Sequence, residues 1–339
     1  MVRLAANKLK VFSFPEWFWK LPKLSWLAIA GNLDNLDEKA GTTSEGLSSS
    51  LSDSVATTNL IEWTDLEVMD KLGEGASGII YKAKWNGQDI KPIDGKTASN
   101  IVALKIFKGG KTSDGLPEDE MKASEAAGSH PCSLEVLGRT INAPDGQLGL
   151  VMPLIPSEYS ILGGPPSFDS VTRDTFEAGK SFKLAEIVRI LTGVSSVCAH
   201  LHGRGISHGD IYAHNILVTG EGKPLLSDFG ASYFYNRGPD DAHVAIGSSA
   251  ISASIEAFEV RAFGCLMEDL LDRARDEVDE RSVSDSAEGN GRKRSITGLL
   301  HSDVIATLRS LQTACMISDV LERPTFKSLC AQLEVIVLT

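Results

Sequence analysis

Apolar and polar positions follow two different periods along this chain. Segments 66–72, 79–85 and 101–107 are short and rich in β-branched and apolar residues, which predicts strands. Between the last two lies NGQDIKPIDGKTAS, a polar connection unusually long for a hairpin. Residues 117–127 predict a helix, and 149–155 is a short apolar run ending at Pro156. In 184–201, positions 184, 187, 188, 191, 194, 197 and 201 form an apolar stripe at helical spacing. Further helices are predicted near 257–275, 302–317 and 325–338. Residues 274–297, crowded with Arg, Asp, Glu and Ser, read as a solvated loop.

The first forty residues have a pattern of their own. LAANKL at 4–9 and LPKLSWLAIAGN at 21–32 place leucines at two- and three-residue steps before an asparagine, and Asn7 and Asn32 lie 25 positions apart. This resembles a leucine-rich repeat, which implies leucines facing a solenoid core and an asparagine bonded to backbone between coils. The match is one repeat plus a fragment, with Asp34 at an expected leucine position, so it reads as the tail of a longer array. An apolar segment packed on the main domain is the other reading. Residues 41–59, GTTSEGLSSSLSDSVATTN, are small and polar and read as a flexible linker. The chain thus divides into a repeat fragment at 1–40, a linker at 41–60 and a globular part at 61–338.

Composition narrows the field. The chain has 339 residues, a net charge of −12 and a pI near 5.1, which argues against general nucleic-acid binding. Its five cysteines form no CxxC pair, as expected for reduced thiols in a cytoplasmic protein without a metal cluster. No stretch approaches eighteen uninterrupted apolar residues, so no membrane span is expected. The start, MVRLAANKLKVFSF, is basic and partly apolar but lacks a clear apolar core with a small-residue cleavage site.

Several short motifs carry candidate chemistry. Gly73-Glu-Gly75-Ala-Ser-Gly78 opens into IIYKAKW, which favours a strand, so it does not read as a dinucleotide-binding turn. Taken alone the three glycines are an ordinary hairpin turn. Val102-Ala103-Leu104-Lys105 follows on the next strand, then PEDEMKASEAAGSHP, LVMPLIP, GISHGDIYAHNILV, LLSDFGAS, Glu259-Val-Arg-Ala-Phe-Gly264 and RPTF. Taken singly, Lys105 is a solvated strand lysine and the glutamates are a solvated acidic helix. Together and in this order the motifs resemble the eukaryotic-type protein kinase family over roughly residues 61–338. Cys315, eight residues before Arg323, is similar to tyrosine-kinase-like members.

That resemblance implies an α+β, bilobal fold, with a small sheet and one helix over about 61–155 and a helical lobe over about 156–338. It implies ATP and Mg2+ as cofactors and a protein substrate. Leu72, Gly73, Gly75, Ser77, Gly78 and Ile80 would cover the nucleotide. Ala103 would leave room for adenine, Lys105 would reach the α- and β-phosphates, and Glu120 would hold Lys105. Met152 matches the gatekeeper, Pro153 would offer a carbonyl and Ile155 an N–H to adenine, and Leu217 would form the floor. Asp210 would orient the acceptor hydroxyl and take its proton, while Asn215 and Asp228 would hold magnesium.

Three departures stand out. Gly209 replaces an arginine that grips a phosphate on the activation loop, so activity is expected not to depend on phosphorylation there. No Ala-Pro-Glu follows Asp228-Phe229-Gly230, which leaves Arg323 without its usual partner, and Glu256 or Glu259 is expected to substitute. Tyr212 fits neither the serine/threonine nor the tyrosine pattern. A protein kinase acting on Ser or Thr is the leading expectation. A small-molecule phosphotransferase also writes His-Gly-Asp with Asn five residues later, and a pseudokinase module joined to leucine-rich repeats is the third reading, with a protein ligand on the repeat.

Overall fold

The computed structural model describes residues 1–10, 14–32, 59–88, 90, 93, 99–110, 115–167, 169–170, 173–235, 249–275 and 296–338. Most of the linker, of the polar connection at 86–99 and of the loop at 274–297 lies outside the described residues, as does Asp34.

The first residues wind into a coil. Val2–Arg3 (β1) runs parallel to Leu27–Ala28 (β2), with the short helix Glu16–Trp19 (α1) between them in sequence. Asn32 closes the coil. Its side-chain oxygen accepts from the N–H groups of Asn7 (2.9 Å) and Leu9 (3.1 Å), and its amide donates to the carbonyls of Leu4 (2.7 Å) and Ile29 (2.8 Å). One side chain thereby satisfies four backbone groups that no regular ladder serves. The coil does not bury itself alone. Phe18, Trp19, Leu24, Leu27 and Ile29 share one apolar cluster with Tyr233, Tyr235, Ile255, Phe258 and Val320 of the helical half. The N-terminal segment is therefore packed on the main domain, as one of the two sequence readings expected.

The strand-rich half follows: Leu60–Glu62 (β3), Leu66–Glu74 (β4), Gly78–Trp85 (β5), Ile101–Phe107 (β6), the helix Pro117–Ala127 (α2), Gly138–Ile141 (β7) and Gly149–Pro153 (β8). They make a six-stranded sheet in the order β3-β7-β8-β6-β5-β4. Val102, Leu104 and Val151 bury one face with Ile61 and Leu66, while Phe107 and Leu150 meet Met121 of α2 on the other. β3 and β7 were not expected, because three- and four-residue strands are too short to show a period of two. Helix α2 starts on Pro117 with Glu118, Asp119 and Glu120 in its first turn, where acidic side chains suit the positive end of the helix dipole.

The helical half comprises Ser160–Ile161 (β9), Phe182–Lys183 (β10), Leu184–His202 (α3), Ile206–Ser207 (β11), Ile216–Val218 (β12), Pro224–Leu226 (β13), Tyr233–Phe234 (β14), Ser249–Leu271 (α4), Ala274–Arg275 (β15), Ile296–Cys315 (α5) and Phe326–Leu338 (α6). α3 runs through the core, its stripe packed with Phe263, Met267, Leu308, Phe326 and Leu329. It is long and apolar enough to pass for a membrane span by composition, yet its apolar residues are covered by this core. α4 starts eight residues before the expected 257, because Ile255 and Phe258 are buried against the N-terminal coil. Ser252 and Ser254 are thus helical. Strands β12 and β13 pair antiparallel, and β12 also pairs with β9, forming a small three-stranded sheet. All five cysteines are free thiols, Cys198 and Cys315 buried.

Candidate active site

β4 and β5 bring the glycine-rich loop over the sheet. Gly75 N–H donates to the carbonyl of Gly78 at 2.9 Å, closing the turn. A side chain at Gly78 would press on the carbonyl of Ile106 at 2.7 Å, so this glycine is demanded by packing on β6. Side chains at Gly73 and Gly75 would meet nothing within 4 Å, which leaves their backbone open to a ligand above. Leu72 is half exposed at the end of β4, and Ile80 lies opposite Lys105 across the β5–β6 ladder.

β6 places Ala103 and Lys105 on one face, as alternation requires. Lys105 forms a direct ion pair with Glu120 of α2, and both side chains are almost wholly buried. Burial pushes the Glu120 carboxyl above its ordinary value; Lys105 opposes this, Asp228 adds to it, and the Ser77 hydroxyl opposes it. Ser77, Lys105, Glu120 and Asp228 therefore converge. Met152 pairs with Ala103 across β6–β8 and is buried, Pro153 ends β8, and Ile155 follows just beyond it, half-buried. Leu217, half-buried on β12 of the helical half, pairs with Leu225 and Ile161.

A loop from His208 to Asn215 follows β11. The Asn215 amide donates to Asp210 Oδ2 at 2.8 Å and to the Asp210 carbonyl at 3.0 Å. Asp210 Oδ1 is buried and takes no hydrogen bond among the described residues. A buried acceptor without a donor is costly, and an incoming hydroxyl would relieve that cost. Asp228 sits at φ +58, a left-handed conformation rare for an aspartate, and its Oδ1 accepts from Gly230 N–H at 3.0 Å. Its neighbour Phe229 is buried against the His208 ring, centroids 5.1 Å apart. The amide oxygen of Asn215 and the carboxylate of Asp228 are hard oxygen donors from two loops, the ligand type that suits magnesium.

Sequence reasoning missed two members of this site. Asp174, buried in the loop before α3, accepts from Ala213 N–H at 2.7 Å and from His214 Nδ1 at 3.1 Å. The other ring nitrogen of His214 lies 3.6 Å from Asp210 Oδ2. Burial opposes the charged ring, but hydrogen bonds and charge from Asp174 and Asp210 prevail and push its pKa up to about 9. Arg173, next to Asp174, is pinned to α4 by Glu268 (2.6 Å) and Asp269 (2.7 Å). The loop around 163–183 has no apolar period, so no sequence signal marked Asp174; His214 was visible only as the residue before Asn215.

The surroundings of Arg323 and Gly209 depart from expectation. Arg323 does not pair with Glu256 or Glu259. Its guanidinium donates to the carbonyls of Pro22 (2.7 Å), Ala257 (2.9 Å) and Ile317 (2.9 Å), and no carboxylate forms an ion pair with it among the described residues. Burial, then the charge of Arg261, lowers its pKa to about 10. Glu259 is occupied elsewhere: it accepts from His202 at 2.6 Å and from Gly209 N–H at 2.7 Å. Glu256 takes the Tyr235 hydroxyl at 2.7 Å. Gly209 is itself a structural requirement, since its φ is +79 and a Cβ there would overlap the carbonyl oxygen of Ala231. The missing arginine is thus not a simple deletion, because the backbone admits no side chain at that position.

Comparison with known proteins bears on the whole arrangement. The family model described as protein tyrosine and serine/threonine kinase matches residues 66–333. The chain is 28% identical over 180 residues to the probable serine/threonine-protein kinase gdt2 of Dictyostelium discoideum, covering 52% of this chain and 9% of that protein. A second probable serine/threonine-protein kinase of that organism is 26% identical over 286 residues, 80% of this chain and 16% of the relative. Mitogen-activated protein kinase kinase 9 of Arabidopsis thaliana is 29% identical over 251 residues, 69% of this chain and 71% of the relative. The chain spans only a small part of the first two relatives and most of the third.

Proposed function

The chain belongs to the protein tyrosine and serine/threonine kinase family, and from that premise we propose that it transfers the γ-phosphoryl group of ATP to a serine or threonine hydroxyl of a protein. The observation that carries the reading is Asp210: one carboxylate oxygen is oriented by Asn215 and the other is buried without a donor. That oxygen is suited to orient an acceptor hydroxyl and take its proton. Lys105, aimed by Glu120, holds the α- and β-phosphates, and the open backbone at Gly73 and Gly75 covers them. Leu72, Ile80, Ala103, Met152 and Leu217 enclose adenine, which takes its polar contacts from Pro153 and Ile155. Asn215 and Asp228 would hold magnesium, which when bound would supply charge neutralisation on the phosphates. The names of the relatives favour serine or threonine as acceptor.

The test is magnesium-dependent ATP turnover and phosphate transfer to casein, compared between the native chain and Asp210→Asn, beside a panel of amino alcohols and sugars. Transfer to casein that Asp210→Asn abolishes supports the reading. Equal signals from the two chains would make the domain a pseudokinase, and transfer only to the small molecules would make it a small-molecule phosphotransferase. Activity does not depend on phosphorylation of the activation segment, because Gly209 offers no cation; loss of activity on phosphatase treatment refutes this.

The N-terminal coil is read as one leucine-rich-repeat unit able to take a protein ligand. The 25-residue offset between its paired strands and the four backbone contacts of Asn32 support that reading. Its test is whether substitution of an exposed coil residue such as Trp17 alters capture of a ligand while transfer to casein stays unchanged.

A further inference from the structure

Tyr212 is the catalytic-loop residue that neither kinase pattern explains, and it is 3% exposed. Its ring receives Trp26 of the N-terminal coil edge-on, centroids 5.9 Å apart at 74°. The same ring stacks on His214, centroids 5.8 Å apart at 27°. His214 in turn reaches Asp210 at 3.6 Å. Above Trp26 the guanidinium of Arg3 lies 3.8 Å from the ring centroid. Arg3, Trp26, Tyr212, His214 and Asp210 therefore form one continuous file from the start of the chain to the catalytic carboxylate. Aromatic edge contacts and cation–ring contacts are directional, so the file restricts rotation as well as excluding water.

The coil is anchored at both ends of this file. Pro22 caps Arg323 through its carbonyl, and Leu27 and Ile29 pack with Tyr233 and Phe258. At the other end Gly31 adjoins Asp119 in the first turn of α2, one residue before Glu120, and Ala30 adjoins Gly115. The coil thus touches the activation segment, the catalytic loop and the helix that carries Glu120.

We propose that the N-terminal coil is a built-in activator of the kinase half, and that Trp26 is the positioning residue through which it holds the catalytic loop. The proposal rests on the phosphotransfer reading above for its kinetic consequence, but not for its structural one. Trp26 touches neither nucleotide nor acceptor and acts through Tyr212 and His214.

The experiment uses the full chain with Trp26→Ala, Trp26→Phe and Trp26→Leu. Transfer to casein is followed by kcat and by KM for ATP, and amide hydrogen exchange is followed in peptides covering 206–216 and, as control, 78–107. Trp26→Ala is expected to lower kcat about tenfold with KM for ATP within about threefold, since only the alignment of Asp210 is lost. Exchange in 206–216 should rise by about tenfold while the sheet control stays unchanged. Trp26→Phe keeps a ring edge on Tyr212 and should restore both readouts to within about twofold. Trp26→Leu, which keeps apolar bulk without a ring, should behave as Trp26→Ala and serves where the alanine variant does not fold. Unchanged exchange in 206–216 overturns the proposal, as does exchange that rises equally in the sheet, or a rise in kcat, which would make the coil an inhibitory strap. A native chain that transfers phosphate to nothing refutes the phosphotransfer reading alone, because the exchange data still decide whether the coil holds the loop.

Discussion

Lys105 and Arg323 are both buried cations, and they are satisfied in opposite ways. Lys105 faces a carboxylate, Glu120, fifteen positions along the chain. Arg323 faces three backbone carbonyls, one of them 301 positions away at Pro22. A carboxylate partner supplies full charge and a fixed aim, and its own burial is offset only by the pair itself. A carbonyl cage supplies partial charge from rigid backbone and adds no second ion to bury. The first arrangement suits a lysine that must present its charge to a ligand. The second suits an arginine whose task is to tie segments together, here the coil, the start of α4 and the end of α5. The surroundings of Lys105 are thus held by side-chain chemistry, and those of Arg323 by docking of a distant segment.

Five substitutions at four positions probe that contrast, in falling order of effect. Asp210→Asn should cut transfer by about a thousandfold while leaving the melting temperature nearly unchanged, because it removes the proton acceptor and keeps the shape; initial rates and a thermal melt on one preparation decide this. Arg323→Ala should cost about 3 kcal/mol of stability, since it strips donors from three carbonyls and leaves them buried. Chemical denaturation measures it, and an effect below about 1 kcal/mol would mean the carbonyl cage holds nothing together. Glu120→Gln should slow transfer about thirtyfold with little loss of stability, since the aim of Lys105 is lost and a carboxyl already raised by burial is removed. A rate unchanged by this substitution would break the comparison from the nucleotide side. Gly209→Ala should cost about 1.5 kcal/mol from its left-handed backbone and the approach of Ala231. Gly209→Arg should be no more stable than Gly209→Ala, as chemical denaturation of the two variants would show.

The two sides also differ in how legible they were. Strands at 66–72, 79–85 and 101–107 and the helix at 117–127 were readable because a residue and its partner are separated by one turn or one connection. The same holds for Asp210 with Asn215, five positions apart, and for Asp228 beside its buried phenylalanine. Glu259 was recognised by its surroundings, but its partners Gly209 and His202 were not, because one comes from the loop after β11 and the other from the end of α3. Asp174 lies in a stretch with no period at all. The early start of α4 was invisible because small residues at its head have no apolar stripe until Ile255 and Phe258 meet Phe18 and Trp19.

By itself the sequence determined the order of strands and helices, the glycine-rich turn, the lysine strand and the positions of Asp210, Asn215 and Asp228. Those features follow from local periods and short fixed spacings, which a linear chain can state. Only the tertiary structure decided that the N-terminal coil covers the catalytic loop, that Tyr212 joins Trp26 to His214, and that Arg323 answers to Pro22. Those contacts depend on which apolar surfaces remain unburied once each half has formed, and no local spacing encodes that.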